Sequence, residues 1–131
     1  MKNTKETGDL GEKVVIEYLK REKYQILAQN YHRKVAEIDI IASKDRIVHF
    51  VEVKTFSHET IDGMERAVSY GTYQPEDLVD IRKLRKLQQG IAIWLQEYQF
   101  AGEWQLDIAA VRLAGSQKMA QIKLIQGVSL E

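Results

Sequence analysis

The stretch "VAEIDIIASKDRIVHFVEVKTF", residues 35–56, constrains the fold of this chain more than any other. It predicts two consecutive β-strands, at 35–43 and 46–54, that are joined by a turn at "SKDR". Because successive side chains of a strand point to opposite faces, the second strand carries apolar side chains on both faces. A strand of this kind belongs in the middle of a sheet that is covered on both sides.

Four charged side chains interrupt this apolar stretch: Glu37, Asp39, Glu52 and Lys54. Alternation places Glu52 and Lys54 together on one face of the second strand, at its C-terminal end. It likewise places Glu37 and Asp39 on one face of the first strand. The opposite face of that strand then carries Ile38, Ile40 and Ala42. If the two strands pair as a hairpin, Asp39 lies beside Glu52.

Two carboxylates with an adjacent ammonium in an apolar setting predict a site for a hard divalent cation such as Mg²⁺, which binds oxygen ligands and keeps several waters. Lys54 would then contact the substrate. One alternative is that these charges form solvated ion pairs across an exposed sheet face. Another is that they only set the register of the sheet. The desolvation cost of several charges converging on a buried strand end favours the cation site.

The remaining pattern predicts one compact domain, since 131 residues with no repeat or linker suit a single core. The predicted elements are a helix at 9–22, strands at 24–31, 104–113 and 121–127, a long loop at 57–74, and a second helix at 75–99. Asp9 and Glu12 have the spacing of a capping box. The order αβββαββ predicts an α/β fold in which a sheet is flanked by helices. We expect substrate choice to depend on the long loop.

Composition narrows the class of protein. The chain has no cysteine, which excludes disulfides, thiolate nucleophiles and the usual structural zinc sites. Its apolar runs are too short to span a membrane, and "MKNTKETGDL" lacks the apolar core of a signal peptide. We therefore expect a cytoplasmic protein without a membrane partner. With 19 basic and 19 acidic side chains, any surface for nucleic acid must come from local patterning.

The second predicted helix carries a basic cluster beside an apolar stripe. The stripe consists of Ile81, Leu84, Leu87, Ile91, Leu95 and Tyr98. Helical geometry places Lys83 nearest the edge of that stripe, from which it could reach inward. The alternative is a solvated lysine whose stem lies along the apolar surface. Together with Lys86, Arg33 and Lys34, it would form a surface that follows phosphates.

The spacing of Asp39, twelve intervening residues and Glu52-Val53-Lys54 resembles the PD-(D/E)XK nuclease signature, with Ile38 in place of a loosely kept proline. A fuller resemblance is to the UPF0102 (YraN-like) family of bacterial proteins, which is similar in fold to that nuclease superfamily and to archaeal Holliday-junction resolvases. The matching pieces are "GDLGEKVVIEYL", "ILAQNYH", "AEIDIIA", "VHFVEVKT", "DIRKLRKLQQGIAIWL" and "LDIAAV". The chain departs from the family at Ala36, where glycine is usual, and in the longer segment 57–74.

This resemblance implies a restriction-endonuclease-like αβββαβ core with a mixed central sheet, and metal-dependent hydrolysis of DNA phosphodiester bonds, for example in branched or repair intermediates. Asp39 and Glu52 would hold Mg²⁺ or Mn²⁺, with the backbone carbonyl of Val53 as a third ligand. Lys54 would orient the attacking water or stabilise charge in the transition state. Glu12 would complete the carboxylate cluster, although its spacing equally predicts a solvent-facing capping residue.

Two further expectations accompany this resemblance. Glu37 would support Asp39 without binding the ion itself. The alternative function is a nucleic-acid-binding or scaffolding module that kept the fold and lost efficient catalysis. The zero net charge favours this alternative, whereas the presence of Asp39, Glu52 and Lys54 favours activity. The sequence leaves open whether the partner is DNA or RNA and whether the chain forms a homodimer as junction resolvases do.

Overall fold

The computed structural model describes residues 4–58, 81–114 and 119–129, which form two helices and a five-stranded sheet. The elements are α1 (Thr4–Arg21), β1 (Gln25–Arg33), β2 (Ala36–Lys44), β3 (Ile47–His58), α2 (Ile81–Glu97), β4 (Glu103–Ala114) and β5 (Met119–Ile125). The strands follow one another in the order β1-β2-β3-β4-β5. Only β3 and β4 pair in parallel among them. The predicted α/β domain with a mixed, helix-flanked sheet is confirmed, and it is consistent with a restriction-endonuclease-like core.

Among the described residues, one helix covers each face of the sheet, as the doubly apolar β3 requires. The cluster on the α2 side contains Leu87, Ile91 and Trp94 packed on Ile38, Ile41, Val48, Phe50, Leu106 and Ile108. The cluster on the α1 side contains Val15 and Leu19 packed on Tyr24, Ile40, Ala42, Val51, Ala109, Val111 and Leu113. The central strand β3 contributes side chains to both clusters, so its charged C-terminal half lies at the centre of the sheet.

The turn between β2 and β3 sets their register. Asp45 and Arg46 both have left-handed backbone conformations, with φ values of 53° and 69°. Two such central residues belong to the tight hairpin turn whose twist suits antiparallel strands. Pairing therefore starts at Lys44 with Ile47, and it proceeds to Ile40 with Val51. The next residues along the two strands are Asp39 and Glu52.

The predicted alternation along β2 is wrong at Asp39. Ile38 belongs to the cluster on the α2 side, whereas Ile40 and Ala42 belong to the cluster on the α1 side. Asn30 of β1 lies opposite Asp39 and has a φ of 49°, a left-handed conformation that asparagine tolerates. The alternation of faces along β2 therefore shifts by one residue between Ile38 and Ile40, next to this left-handed residue.

The first helix begins earlier than predicted. It starts at Thr4, so that Asp9 and Glu12 both lie inside it and the predicted capping box is wrong. The upstream residues extend the helix because they contain no proline and place Glu6 in its first turn, where an acidic side chain is favourable. Glu12 therefore has no capping role.

The second helix approaches the sheet through Gly90. A Cβ atom at this position would lie 3.1 Å from the Cβ of Ala36 and 3.3 Å from Ile38. The buried face of α2 follows Leu87, Gly90, Ile91 and Trp94. The apolar stripe of this helix was predicted to pack on the sheet, but its members Ile81 and Tyr98 are 64% and 57% exposed, so that prediction is wrong for these two residues. Tyr98 lies beyond the end of α2 and packs its ring against Trp94, with 5.0 Å between ring centroids.

Strand β3 continues to His58, beyond its predicted end at Lys54, because it stays paired with β4 along that length. Residues 57 and 58 are therefore strand rather than loop. The rest of the predicted loop at 57–74, and the predicted start of the second helix at Pro75, lie outside the described residues. Within the described residues, no helix is long and apolar enough to cross a membrane.

Candidate functional site

Asp39 is fixed between β2 and β3. The backbone N–H of Val53 donates a 2.8 Å hydrogen bond to Oδ2 of Asp39. The carboxyl groups of Asp39 and Glu52 lie within hydrogen-bonding reach of each other. The structure therefore brings together the two carboxylates and the Val53 backbone that the sequence suggested as metal ligands.

Glu52 is almost completely buried, with a relative exposure of 3%. Among the described residues, its Oε2 atom receives no hydrogen bond, and Nζ of Lys83 lies 3.5 Å away. Burial, together with the hydrogen bond and negative charge of Asp39, raises the pKa of Glu52 to about 8. The positive charges of Lys83 and Lys54 act in the opposite direction. A carboxylate in this setting is stabilised either by a proton or by a cation.

Lys54 shares the α2-facing side of β3 with Glu52 and is half-buried. Val53, between them, points to the other face and packs against the cluster on the α1 side. Lys83 reaches this face from α2, as its position beside the apolar stripe predicted. Two ammonium groups and two carboxylates therefore surround one end of the β2–β3 pair.

Helix α1 brings Glu12 to the site through Gly11. A Cβ atom on Gly11 would overlap Oγ1 of Thr55 and lie 2.9 Å from its Cβ atom. Only glycine allows the helix to lie this close to β3. Burial raises the pKa of the half-buried Glu12 carboxyl to about 7, with smaller contributions from the charges of Asp39, Asp9 and Glu37. The negative charge of Asp39 therefore contributes to the raised pKa of Glu12.

A cleft of about 560 Å³ opens beside Glu12, between α1 and β1. Its lining residues are Asp9, Glu12, Lys13, Ile16, Glu17, Lys20, Gln29 and Asn30. Asn30 is the residue opposite Asp39 in the β1–β2 pair. The cleft therefore borders Glu12 on the α1 side, whereas Glu52 and Lys54 lie on the α2-facing side of β3.

The donor set of the site can be compared with the needs of a metal ion. No group of three or more Asp, Glu or His side chains within the described residues is arranged to hold one. Glu12 therefore does not join Asp39 and Glu52 in a three-carboxylate cluster. Mg²⁺, however, is commonly held by one or two carboxylates and keeps several waters. Two carboxylates, a backbone carbonyl and an unsatisfied Glu52 oxygen fit that requirement.

The other residues predicted to bind phosphate lie apart from this site. Lys34 is exposed in the turn between β1 and β2, and Lys86 is exposed on α2. The guanidinium of Arg33 donates hydrogen bonds to both carboxylate oxygens of Glu97, each at 2.8 Å. The hydroxyl of Tyr31 donates to the same carboxylate at 2.6 Å. Arg33 thus joins the end of β1 to the end of α2.

Glu37 also lies apart from the acidic pair. It is exposed, and its Oε2 atom lies 3.9 Å from Nδ1 of His32 on the neighbouring strand. Its charge contributes least to the raised pKa of Glu12. The structure therefore gives Glu37 a weak electrostatic influence on the site and no hydrogen bond to Asp39 within the described residues.

A buried polar network on the opposite face of the sheet was not predicted. Asp107 is fully buried and accepts hydrogen bonds from Nδ1 of His49 at 2.7 Å, Nε2 of Gln105 at 2.8 Å and the backbone N–H of Gly127 at 3.0 Å. His49 faces α1, whereas Glu52 faces α2. Asp107 therefore anchors the segment after β5 rather than joining the acidic pair.

Sequence reasoning also missed Arg112 and His58. Nη1 of Arg112 donates a 3.1 Å hydrogen bond to Nε2 of His58, and its guanidinium lies 5.4 Å from the ring centroid of Phe56. The sequence offered little indication of this pair, because His58 lies beyond the predicted end of β3 at Lys54. Once β3 and β4 are extended in register, these residues lie on the face that carries Glu52 and Lys54.

The sequence has close counterparts in other bacteria. The model of the Uncharacterised protein family UPF0102 matches residues 11–111. A UPF0102 protein of Campylobacter lari is 33% identical over 122 residues, which cover 93% of this chain and 92% of the relative. A UPF0102 protein of Mycolicibacterium vanbaalenii is 31% identical over 127 residues, which cover 95% of this chain and 93% of the relative. The matched region includes Glu12, Asp39, Glu52 and Lys54.

Proposed function

The chain belongs to the UPF0102 family, and from the geometry of its site we propose that it is a metal-dependent nuclease that hydrolyses phosphodiester bonds of DNA. One observation carries this proposal: Glu52 is buried beside Asp39, and its Oε2 atom receives no hydrogen bond among the described residues. An unsatisfied buried carboxylate oxygen is costly. A hard divalent cation bound there would satisfy it.

Each residue of the site has a different role in the proposed reaction. Asp39, Glu52 and the carbonyl of Val53 would hold Mg²⁺ or Mn²⁺, which when bound polarises a phosphate oxygen and lowers the pKa of a water ligand. The N–H of Val53 keeps Asp39 in place through its 2.8 Å hydrogen bond. The ammonium of Lys83 favours the ionised form of Glu52. Lys54 supplies positive charge where the phosphate becomes more negative during the reaction.

Glu12 is suited to proton transfer. Its pKa is raised to about 7, and a group whose pKa lies near the working pH both accepts and releases protons readily. Its half-buried carboxyl borders the cleft between α1 and β1, and the charge of Asp39 acts on it. We assign it the role of accepting the proton of the attacking water, directly or through a second water.

A binding module without efficient catalysis is the second candidate function. It is favoured by Lys83, whose ammonium at 3.5 Å from Oε2 of Glu52 already compensates part of the buried negative charge. If the Lys83 ammonium alone compensates the buried negative charge of Glu52, the site needs no metal ion. Such a protein would bind DNA equally well with and without a divalent cation, and it would cleave none.

A substrate panel tests the proposal. The purified chain is incubated with labelled single-stranded, duplex, flap and four-way-junction DNA, and with matched RNA strands, in Mg²⁺, in Mn²⁺ and in a chelator. Cleavage that requires the cation supports the nuclease and identifies its substrate class. Metal-independent binding without cleavage of any substrate supports the binding module and refutes the nuclease.

A further inference from the structure

Two lysines flank a methyl group on the face of the sheet that carries Glu52. Lys54 of β3 pairs with Ala110 of β4 in the parallel ladder, and Ala110 pairs with Lys123 of β5 in the antiparallel ladder. Directly paired residues of neighbouring strands share one face of a sheet. Lys54, Ala110 and Lys123 therefore form a row that crosses the sheet from its centre to the edge at β5.

Lys123 faces solvent because the other face of β5 is packed. Ile122 and Leu124 pack against the cluster on the α1 side, so alternation turns Lys123 to the face that carries Glu52. Its side chain is exposed, and no carboxylate that the structure describes forms an ion pair with it. The ammonium of Lys123 is therefore presented on the same side of the sheet as the acidic pair.

The charge around this row is positive along the described strands. In the neighbouring row, Glu52 is followed by Ile108 on β4 and Ile125 on β5, which are uncharged. Beyond Glu52, the described parts of β3, β4 and β5 place no acidic side chain on this face. A polyanion held at the acidic pair would therefore meet Lys54 first and then a second cation, Lys123, toward the β5 edge.

The spacing of the two lysines suits one nucleic-acid strand. Neighbouring strands of a sheet lie about 4.8 Å apart, so two strand spacings separate Lys54 from Lys123 by about 10 Å. One strand of a duplex carries a phosphate about every 3.4 Å along the helix axis. The separation therefore corresponds to about two to three phosphate steps. Ala110, which lies between the lysines, contributes only a methyl group to this path.

We propose that Lys123 binds a backbone phosphate of the strand that is cleaved at Glu52 and Lys54, about two or three nucleotides from the scissile phosphate. The bound strand then crosses β4 and leaves the protein at the edge formed by β5. Lysine suits this contact because its ammonium binds phosphate as a point charge and reads no base. This inference rests on the proposed function, which identifies the acidic pair as the site of the scissile phosphate.

The salt dependence of DNA binding tests this contact without requiring cleavage. Affinity for the labelled DNAs of the panel is measured in chelator over a range of salt concentrations, for the wild-type chain and for Lys123→Gln. Loss of one phosphate contact lowers the magnitude of the slope of log affinity against log salt by about 0.7 to 0.9. Lys23→Gln is the matched control, because Lys23 is exposed in the turn before β1, at the opposite edge of the sheet.

Further variants define the contact. Lys123→Arg keeps the positive charge, so it should keep the wild-type slope. The double variant Lys54→Gln/Lys123→Gln should lose about twice as much slope as either single variant, because the two lysines contact different phosphates. The inference is overturned by an unchanged slope in Lys123→Gln, by a change equal to that of Lys23→Gln, or by a double variant that loses no more slope than a single one.

A structural role for Lys123 predicts a different result. A lysine on an edge strand can serve only to prevent pairing with the sheet of another molecule. In that case Lys123→Gln should self-associate in sedimentation measurements and keep the wild-type slope, which overturns the phosphate contact. If Lys123 binds phosphate, the variant should stay monodisperse like the wild type, keep its melting temperature and lose slope.

The outcome is distinguishable from failure of the nuclease proposal. A reduced slope in Lys123→Gln with no cleavage of any substrate supports the phosphate contact and refutes catalysis. Cleavage by the wild-type chain with an unchanged slope in Lys123→Gln refutes the contact alone. Absence of any salt-dependent binding by the wild-type chain overturns the contact as well.

Discussion

The backbone N–H of Val53 donates a 2.8 Å hydrogen bond to Oδ2 of Asp39, and this contact ties β2 to β3 at the acidic pair. It lies next to the point where the alternation of faces along β2 shifts, between Ile38 and Ile40. The backbone of one strand thus fixes the carboxylate of the next. The geometry of the pair depends on the hairpin rather than on flexible side chains.

Two substitutions of Asp39 separate its contribution to the stability of the fold from its contribution to metal binding. In Asp39→Asn the amide oxygen can still accept from Val53, so we expect near wild-type stability. We expect Mn²⁺ affinity to fall by at least roughly 100-fold, because Asp39 is a direct ligand in the proposed site and the loss of a residue that only supports a ligand already costs about 10- to 100-fold. Asp39→Ala should also lose about 1–3 kcal/mol of stability, because the Val53 N–H loses its partner. Calorimetric Mn²⁺ titration and urea unfolding measure both, and equal stability of the two variants would contradict the structural role.

The pH dependence of stability follows from Glu52 and Glu12. Their folded-state pKa values of about 8 and about 7 lie above the ordinary 4.5, so the folded chain binds more protons than the unfolded chain between these limits. The free energy of unfolding of the metal-free protein should therefore fall as the pH rises from about 4.5 to about 8. Urea unfolding in chelator at several pH values measures this fall.

Substitution of Glu52 identifies the source of that dependence. Glu52→Gln cannot ionise, so its stability should vary less with pH over the same window. Glu103→Gln removes an exposed carboxylate at the start of β4 and should keep the wild-type dependence. Stability that rises with pH in the metal-free wild type would have the wrong sign for a buried carboxyl of raised pKa.

Gly11 should be far less tolerant of a side chain than Gly8. In Gly11→Ala the new methyl meets Thr55, so α1 has to move away from β3, at a cost of about 1–3 kcal/mol. Glu12 would move with the helix and the activity should fall. A methyl group on Gly8 would meet no described atom of another element within 4 Å, so Gly8→Ala should raise stability by up to about 1 kcal/mol. Thermal melting of both variants checks this, and equal shifts would refute the close contact of α1 with β3.

Lys83 should control the pH at which the site accepts a metal. Its ammonium lowers the pKa of Glu52, so Lys83→Met should leave that carboxyl protonated up to a higher pH. Because a ligand must be deprotonated to bind, the midpoint of Mn²⁺ binding should move to higher pH. Lys86→Met, on an exposed position of the same helix, is the control. A midpoint that moves equally in both variants would argue for a general charge effect.

The sequence predicted the order of the elements because the hydrophobic periods of β3 and α2 are strong. The charged residues of β3 stood out for the same reason, since Glu52 and Lys54 interrupt a strand that is otherwise apolar on both faces. Helical geometry predicted that Lys83 lies at the edge of the apolar stripe, and the structure shows that its ammonium reaches Glu52 from there. Each of these features depends on residues that are close together in the sequence, so the pattern of apolar and charged residues is enough to predict it.

Tertiary features were not predictable in the same way. Ile38 and Ile40 lie on opposite faces of the sheet, next to the left-handed Asn30 of β1, and simple alternation does not foresee this shift. Arg33 satisfies Glu97, which lies 64 residues away in the chain, so its pairing left no local pattern. The cytoplasmic location and the homodimer stay predictions.

The most direct test of the central claim compares cleavage by the wild-type chain, Glu52→Gln and Glu103→Gln in Mn²⁺. Glutamine fills the same space as Glu52 but carries no charge for the cation, whereas Glu103 is exposed and distant from the acidic pair in the β3–β4 register. We predict that Glu52→Gln remains folded and loses cleavage by more than about a hundredfold, and that Glu103→Gln cleaves like the wild type. Equal cleavage by all three proteins, or none by the wild type, would contradict the assignment of this site to hydrolysis.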